Sequence, residues 1–154
     1  MKKLLVMFTL AVSSIVSAQN TGDTPYIYHF GINQTEENSG AHVKVTNRDQ
    51  NDMVIALVGR YTDDVYAHAF IKSGDTYTFY NLPTGPYSYK FSNAGSYFEN
   101  RETIKLQGCN SDRYPTMCSL SERPYEWSWE VWVERSQRTD GPSGRISKEQ
   151  FFDQ

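Results

Sequence analysis

The chain has 154 residues, with 15 Lys and Arg against 18 Asp and Glu and a formal net charge of −3. That length suits one domain with a modest hydrophobic core. A mildly acidic chain without a basic cluster lacks the electrostatic footprint of a nucleic-acid binder, and an anionic membrane surface is disfavoured for the same reason.

The chain opens on Met1-Lys2-Lys3, runs through an apolar stretch from Leu4 to Val12, and then turns to small residues up to Ala18. Positive charge, apolar run and small residues in that order are those of a bacterial-type secretory signal peptide. Val16 and Ala18 take the −3 and −1 positions, so cleavage is expected after Ala18. The apolar part, about nine to thirteen residues, falls short of the roughly twenty that a bilayer span needs. No later stretch is longer, so no stable membrane insertion is expected. A secreted or periplasmic protein follows.

Residues 19–40 read as an N-terminal strand and a polar loop, the strand being the aromatic stretch Pro-Tyr-Ile-Tyr-His-Phe at 25–30. Residues 41–134 read as the core of the domain. Ala41, Val43 and Val45 alternate with His42, Lys44 and Thr46, the period-two pattern of a half-buried strand. After a turn at residues 47–52 comes Met-Val-Ile-Ala-Leu-Val at 53–58, apolar on both faces, which suits a central strand. In the next strand, Val65, Ala67, Ala69 and Ile71 take one side and Tyr66, His68 and Phe70 the other. Residues 76–80 are rich in Thr and aromatics, which favour a pleated surface. Tyr87, Tyr89 and Phe91 then oppose Ser88, Lys90 and Ser92, and Asn93-Ala94-Gly95 breaks the run. Residues 101–106 form a further strand with Ile104 and Leu106 on one side. At 125–134, Tyr125, Trp127, Trp129, Val131 and Val133 alternate with Glu126, Ser128, Glu130, Trp132 and Glu134; on a helix Trp127 and Trp129 would lie about 200° apart. Residues 135–154 read as a polar tail ending in a short helical turn, with Ser147 capping and Gln150 three residues on. The whole predicts an all-β protein: a single antiparallel β-sandwich of about seven to eight strands.

Over residues 43–91 two apolar strands are followed by Asp75-Thr76-Tyr77-Thr78-Phe79 and then Asn81-Leu82-Pro83-Thr84-Gly85-Pro86-Tyr87-Ser88-Tyr89. This resembles the carboxypeptidase regulatory-like, or prealbumin-like, β-sandwich domains, in which a strand enters a Leu-Pro-x-Gly-x-Tyr corner and returns as an alternating strand. Pro restricts φ, Gly permits a sharp step, and Tyr restarts a packed face. Pro86 departs from the pattern and suggests an edge position. The resemblance implies an accessory, adhesive or scaffold module and supplies no catalytic residue.

Cys109 and Cys118 form an even pair in an exported chain, and a disulfide between them is expected. It would close a loop of about ten residues and contribute roughly 2–3 kcal/mol. The spacing fits no zinc ribbon. Asp49-x-Asn51 begins like a calcium loop but lacks the later Gly and Glu, so no metal or other cofactor is expected. There is no Gly-x-Ser-x-Gly elbow and no phosphate-cradling glycine loop, and no catalytic residue is assigned. What stands out is the aromatic content: eleven Tyr, eight Phe and three Trp. Most belong in a core. Trp132 is the exception, because its face is otherwise Glu and Ser. Tyr66, His68 and Phe70 form a second candidate binding patch. These features predict a non-catalytic exported module that binds a protein or serves an envelope assembly. A carbohydrate-binding module is the alternative, and a small extracytoplasmic enzyme with a pocket near His68 is the third reading.

Overall fold

The computed structural model of the chain describes residues 18–37, 39–106, 128–133 and 143–153, with the backbone alone at 101–102, 128–133 and 143. Two sheets pack face to face. One has three strands, β1 (His42–Asn47), β4 (Thr76–Tyr80) and β7 (Ser128–Val133), in the order β4-β1-β7. The other has five strands: β2 (Met53–Gly59), β3 (Val65–Ile71), β5 (Gly85–Asn93), β6 (Ser96–Leu106) and β8 (Ser143–Ile146), in the order β3-β2-β5-β6-β8. The all-β sandwich is therefore as expected. One pair departs from a purely antiparallel arrangement: β7 joins β1 in parallel, with Val43 beside Trp129 and Thr46 beside Trp132.

Between the sheets, Val43, Val45, Met53, Ile55, Leu57, Ala67, Ala69, Ile71, Phe79, Tyr87, Tyr89 and Phe91 form one buried cluster. Alternation puts them there, since successive residues of a strand point to opposite faces. In β2 the other face, Ala56 and Val58, is buried as well, in a second cluster with Phe30, Val65 and Phe151. Two short helices build that outer cover, α1 (Ile27–Phe30) and α2 (Lys148–Phe152). Ser147 caps α2 in a reciprocal box: its Oγ accepts from the Gln150 amide at 3.1 Å, and its own amide donates to Gln150 Oε1 at 2.9 Å.

Three expectations are corrected. Residues 25–30 do not form a strand. The chain makes a single helical turn there and stops at Gly31 (φ 73°), whose amide donates to the Ile27 carbonyl. The 135–154 tail ends in the expected helical turn, α2, but it is not polar throughout, because before that turn it adds an unexpected strand, β8, to the larger sheet. Pro86 lies on an inner strand, between β2 and β6. The strand accommodates it because β2 ends at Gly59. Past that point the Pro86 carbonyl accepts from the Arg60 amide at 2.9 Å, and the missing N–H points where the ladder has run out.

The Leu-Pro-x-Gly corner has a physical account here. Leu82 is buried in the core, and the Tyr87 hydroxyl donates back to the Pro83 carbonyl at 2.5 Å. Burial, then the neighbouring Tyr66 and Glu36, push the Tyr87 pKa up, so it stays a neutral donor that ties the corner to the returning strand.

Candidate functional site

The three residues singled out on β3 do not share one surface. The β2–β3 register slips between Leu57 and Val58, a β-bulge: Leu57 pairs with Ala67, but Val58 pairs with Val65. The extra residue is Tyr66. It packs against the inner cluster, with its ring 5.3 Å from that of Tyr87, edge to face. Val65 is turned to the outer cluster instead. Gly59 makes room for this bend, since a Cβ there would lie 2.5 Å from Thr62 Oγ1 and 2.7 Å from the Tyr66 ring. His68 and Phe70 remain on the outer face, in register with Ala56 and Val54.

That outer face is not open. β3 is a sheet edge, and an edge offers unpaired backbone groups. The N-terminal segment satisfies them in order. The Gly22 amide donates to the Phe70 carbonyl (2.8 Å), the Phe70 amide to Asp23 O (2.7 Å), and the Gln34 amide to Tyr66 O (2.7 Å). Asn33 grips His68 with both atoms of its side-chain amide: Oδ1 accepts from the His68 amide at 2.9 Å, and Nδ2 donates to its carbonyl at 3.1 Å. Thr21 Oγ1 accepts from the Lys72 amide at 3.1 Å.

The cap seals His68 beneath it. The residue is 1% exposed, and the Phe30 ring lies 5.3 Å from the imidazole, edge to face. Neither ring nitrogen has a hydrogen-bond partner among the described residues. Burial lowers the His68 pKa below its usual value. The nearby Thr24 backbone opposes that shift without closing a hydrogen bond of good geometry. The imidazole is thus held neutral among aromatic rings. Lys90, expected on a wet face, is buried too. Its Nζ donates to the carbonyls of Gln150 (2.9 Å) and Asp153 (3.3 Å) at the end of α2, where a cation suits the unpaired carbonyls.

Where the cap meets the far end of the sheet a cavity of about 220 Å³ remains. Tyr26, Phe70 and Tyr97 give it aromatic walls, and Asp52 and Ser92 line it with polar groups. Burial, then the Tyr97 hydroxyl, raise the Tyr26 pKa, and a hydrogen bond with the Ser92 side chain opposes the rise. His68 lines neither this cavity nor a smaller one of about 90 Å³ beside Tyr61 and Pro86.

The cap also presents apolar side chains to solvent, which the sequence reading missed. Tyr28 is 99% exposed, Ile32 79% and Ile27 41%. Only the Gly31 stop hinted that residues 25–30 form a turn that splits its aromatics between core and solvent. Trp132 lies in register with Thr46 on β7, while its side chain, like Cys109 and Cys118, lies outside the described residues. Among the described residues no group of three His, Cys, Asp or Glu could hold a metal ion, and no helix is long and apolar enough to cross a membrane. No protein-family model matches the chain, and no curated protein matches it in sequence.

Proposed function

We propose that the chain is an exported, non-catalytic β-sandwich that acts as a protein-binding or envelope-assembly accessory module and docks its partner through the cap over β3. The observation that carries this reading is the full exposure of Tyr28 beside Ile32, on a segment whose neighbours Tyr26 and Phe30 are packed against Phe152 and Phe151. An aromatic ring on a backbone already fixed by hydrogen bonds loses little entropy on binding, and buried aromatic anchors dominate interface energies. Export rests on the leader, with the working chain beginning at Gln19.

A photo-crosslinking residue in place of Tyr28 tests the site in living cells. A discrete protein adduct is expected in the exported fraction, absent when the same probe replaces the exposed Lys105 on β6. No adduct from position 28, or the same adduct from both positions, would sink the reading. N-terminal sequencing of the exported protein tests cleavage after Ala18.

The cavity favours a second reading, a carbohydrate-binding module. Aromatic walls with a carboxylate and a hydroxyl suit the apolar face and hydroxyl rim of a sugar ring, and the volume admits one ring at most. Glycan-array binding that disappears with Tyr97→Ala would support it.

A further inference from the structure

The two sheets end differently on the side where the N-terminal segment runs. Beside β3 that segment occupies the edge. Beside β4 no described backbone joins the ladder: β4 pairs with β1 alone, while the N-terminal segment packs Gly22 against the Tyr77 ring and engages the strand's flanks, Thr21 Oγ1 donating to Asp75 Oδ2 and the Glu36 amide to Asn81 O. The direction of its backbone groups follows from the ladder. The Asn47 amide donates to Asp75 O at 2.9 Å, which makes Asn47 and Asp75 a hydrogen-bonded pair. Such pairs alternate along an antiparallel ladder, so Tyr77 and Phe79 bond to Val45 and Val43. The N–H and C=O groups of Thr76, Thr78 and Tyr80 therefore point away from the sheet. Thr76 and Tyr80 are exposed and Thr78 is half-buried. The strand Thr-Tyr-Thr-Phe-Tyr carries no charge, no Pro and no bulge to blunt its edge.

We propose that β4 is a self-association edge, which pairs antiparallel with β4 of a second copy and joins the two three-stranded sheets into one. This inference does not depend on docking through the cap. The occupant is argued from symmetry. The outward-pointing residues are spaced evenly about Thr78, so a two-fold axis there sets Thr78 opposite Thr78 of the partner subunit and Thr76 opposite Tyr80 of the partner subunit. Every outward backbone group then finds its complement. The same register lays Tyr77 against Phe79 of the partner subunit on the core side, an aromatic cross-strand pair. It sets Asp75 opposite Asn81 of the partner subunit rather than against its own copy, so no like charges meet. A five-residue edge is small for an interface, so the dimer is expected to form reversibly with concentration.

Sedimentation equilibrium of the purified protein from micromolar to millimolar concentration tests this, with hydrogen exchange on the same samples. The wild type is expected to dimerise, with the amides of Thr76, Thr78 and Tyr80 gaining protection as concentration rises. Thr78→Lys sets two ammonium groups face to face on the axis and is expected to weaken dimerisation by up to about fivefold. Thr78→Val keeps the backbone donor and should leave dimerisation intact. Thr78→Pro removes an N–H that β1 does not use and should abolish it; if that variant misfolds, Thr78→Lys decides. A wild type that stays monomeric to millimolar concentration would overturn the proposal. So would a dimer indifferent to Thr78→Lys, or protection gained elsewhere than on β4.

Discussion

The five-stranded sheet is buried on both faces, by different means. Its inner face meets β1 and β4 across a layer of Val, Ile, Leu, Tyr and Phe that lie close to their partners in register. Its outer face meets two short pieces from opposite ends of the chain, α1 and α2, through Phe30, Tyr97, Phe151 and Phe152. The inner layer holds aliphatic and aromatic groups. The outer one also encloses an imidazole with no partner and an ammonium held by helix carbonyls. A sheet face presents a continuous apolar surface to another sheet, whereas a cover of one-turn helices must be closed by rings that bridge the gaps. The inner layer should then behave as the stable core, and the outer cover as a unit that opens first.

The sharpest way to break that contrast is Phe151→Ala. Phe151 is fully buried and its ring touches those of Tyr26, Phe30, Tyr97 and Phe152. Truncation should cost about 3–5 kcal/mol of the cover's stability. In native-state hydrogen exchange, α2 and residues 26–31 should lose protection while the amides of β2 keep most of theirs. If β2 loses protection equally, the two faces form one cooperative unit and the contrast fails.

The inner layer was legible in the sequence and the outer cover was not, for a definable reason. Alternation assigns parity within one strand. It located β1, where His42, Lys44 and Thr46 lie on the outer face of the smaller sheet, and β2, apolar on both faces. Parity does not say whether the polar side stays wet. Ser88 and Lys90 lie opposite the aromatic face, yet both are buried, and α2 holds Lys90 from 60 residues away in sequence. Parity also breaks silently at a bulge. The one extra residue at Tyr66 sends Tyr66 inward and Val65 outward, and nothing in Val-Tyr-Ala-His announces it. The four residues of α1 are too few for a helical period to register, and β8 is equally short. The capping box at Ser147 could be read because its signal is local.

A smaller effect is expected at the imidazole. His68→Leu replaces two unpartnered ring nitrogens by apolar atoms in an aromatic setting, and should leave stability at neutral pH unchanged or slightly raised. Its clearer signature is in acid. Because the folded-state pKa lies below the ordinary 6.5, the unfolded chain takes up this proton first as the pH falls. Stability contributed by this site is complete above about pH 6.5 and declines below it until the folded form is also protonated. Urea midpoints measured from pH 7 down to pH 5 should therefore fall less steeply in His68→Leu than in the wild type. Equal slopes would mean that the cap admits water to the ring.

The smallest effect tests whether the hairpin that joins two strands of the larger sheet carries strain of its own. β5 and β6 are joined through Ala94 (φ 46°) and Gly95 (φ 74°). Two consecutive positive φ values make the tight hairpin turn whose twist matches that of the strands it joins. Gly95 adopts this conformation freely, whereas Ala94 meets the left-handed region with a Cβ, at a cost of about 1–2 kcal/mol. Ala94→Gly removes that clash but gives the unfolded chain more freedom, which offsets about 0.4–1 kcal/mol of the gain. The variant should therefore be more stable by a few tenths to about 1 kcal/mol, read as a higher urea midpoint at unchanged slope. Ala94→Asn, which tolerates the left-handed region, should move the same way by less. A loss of stability in both would mean that the Ala94 methyl makes a contact worth more than the strain it causes.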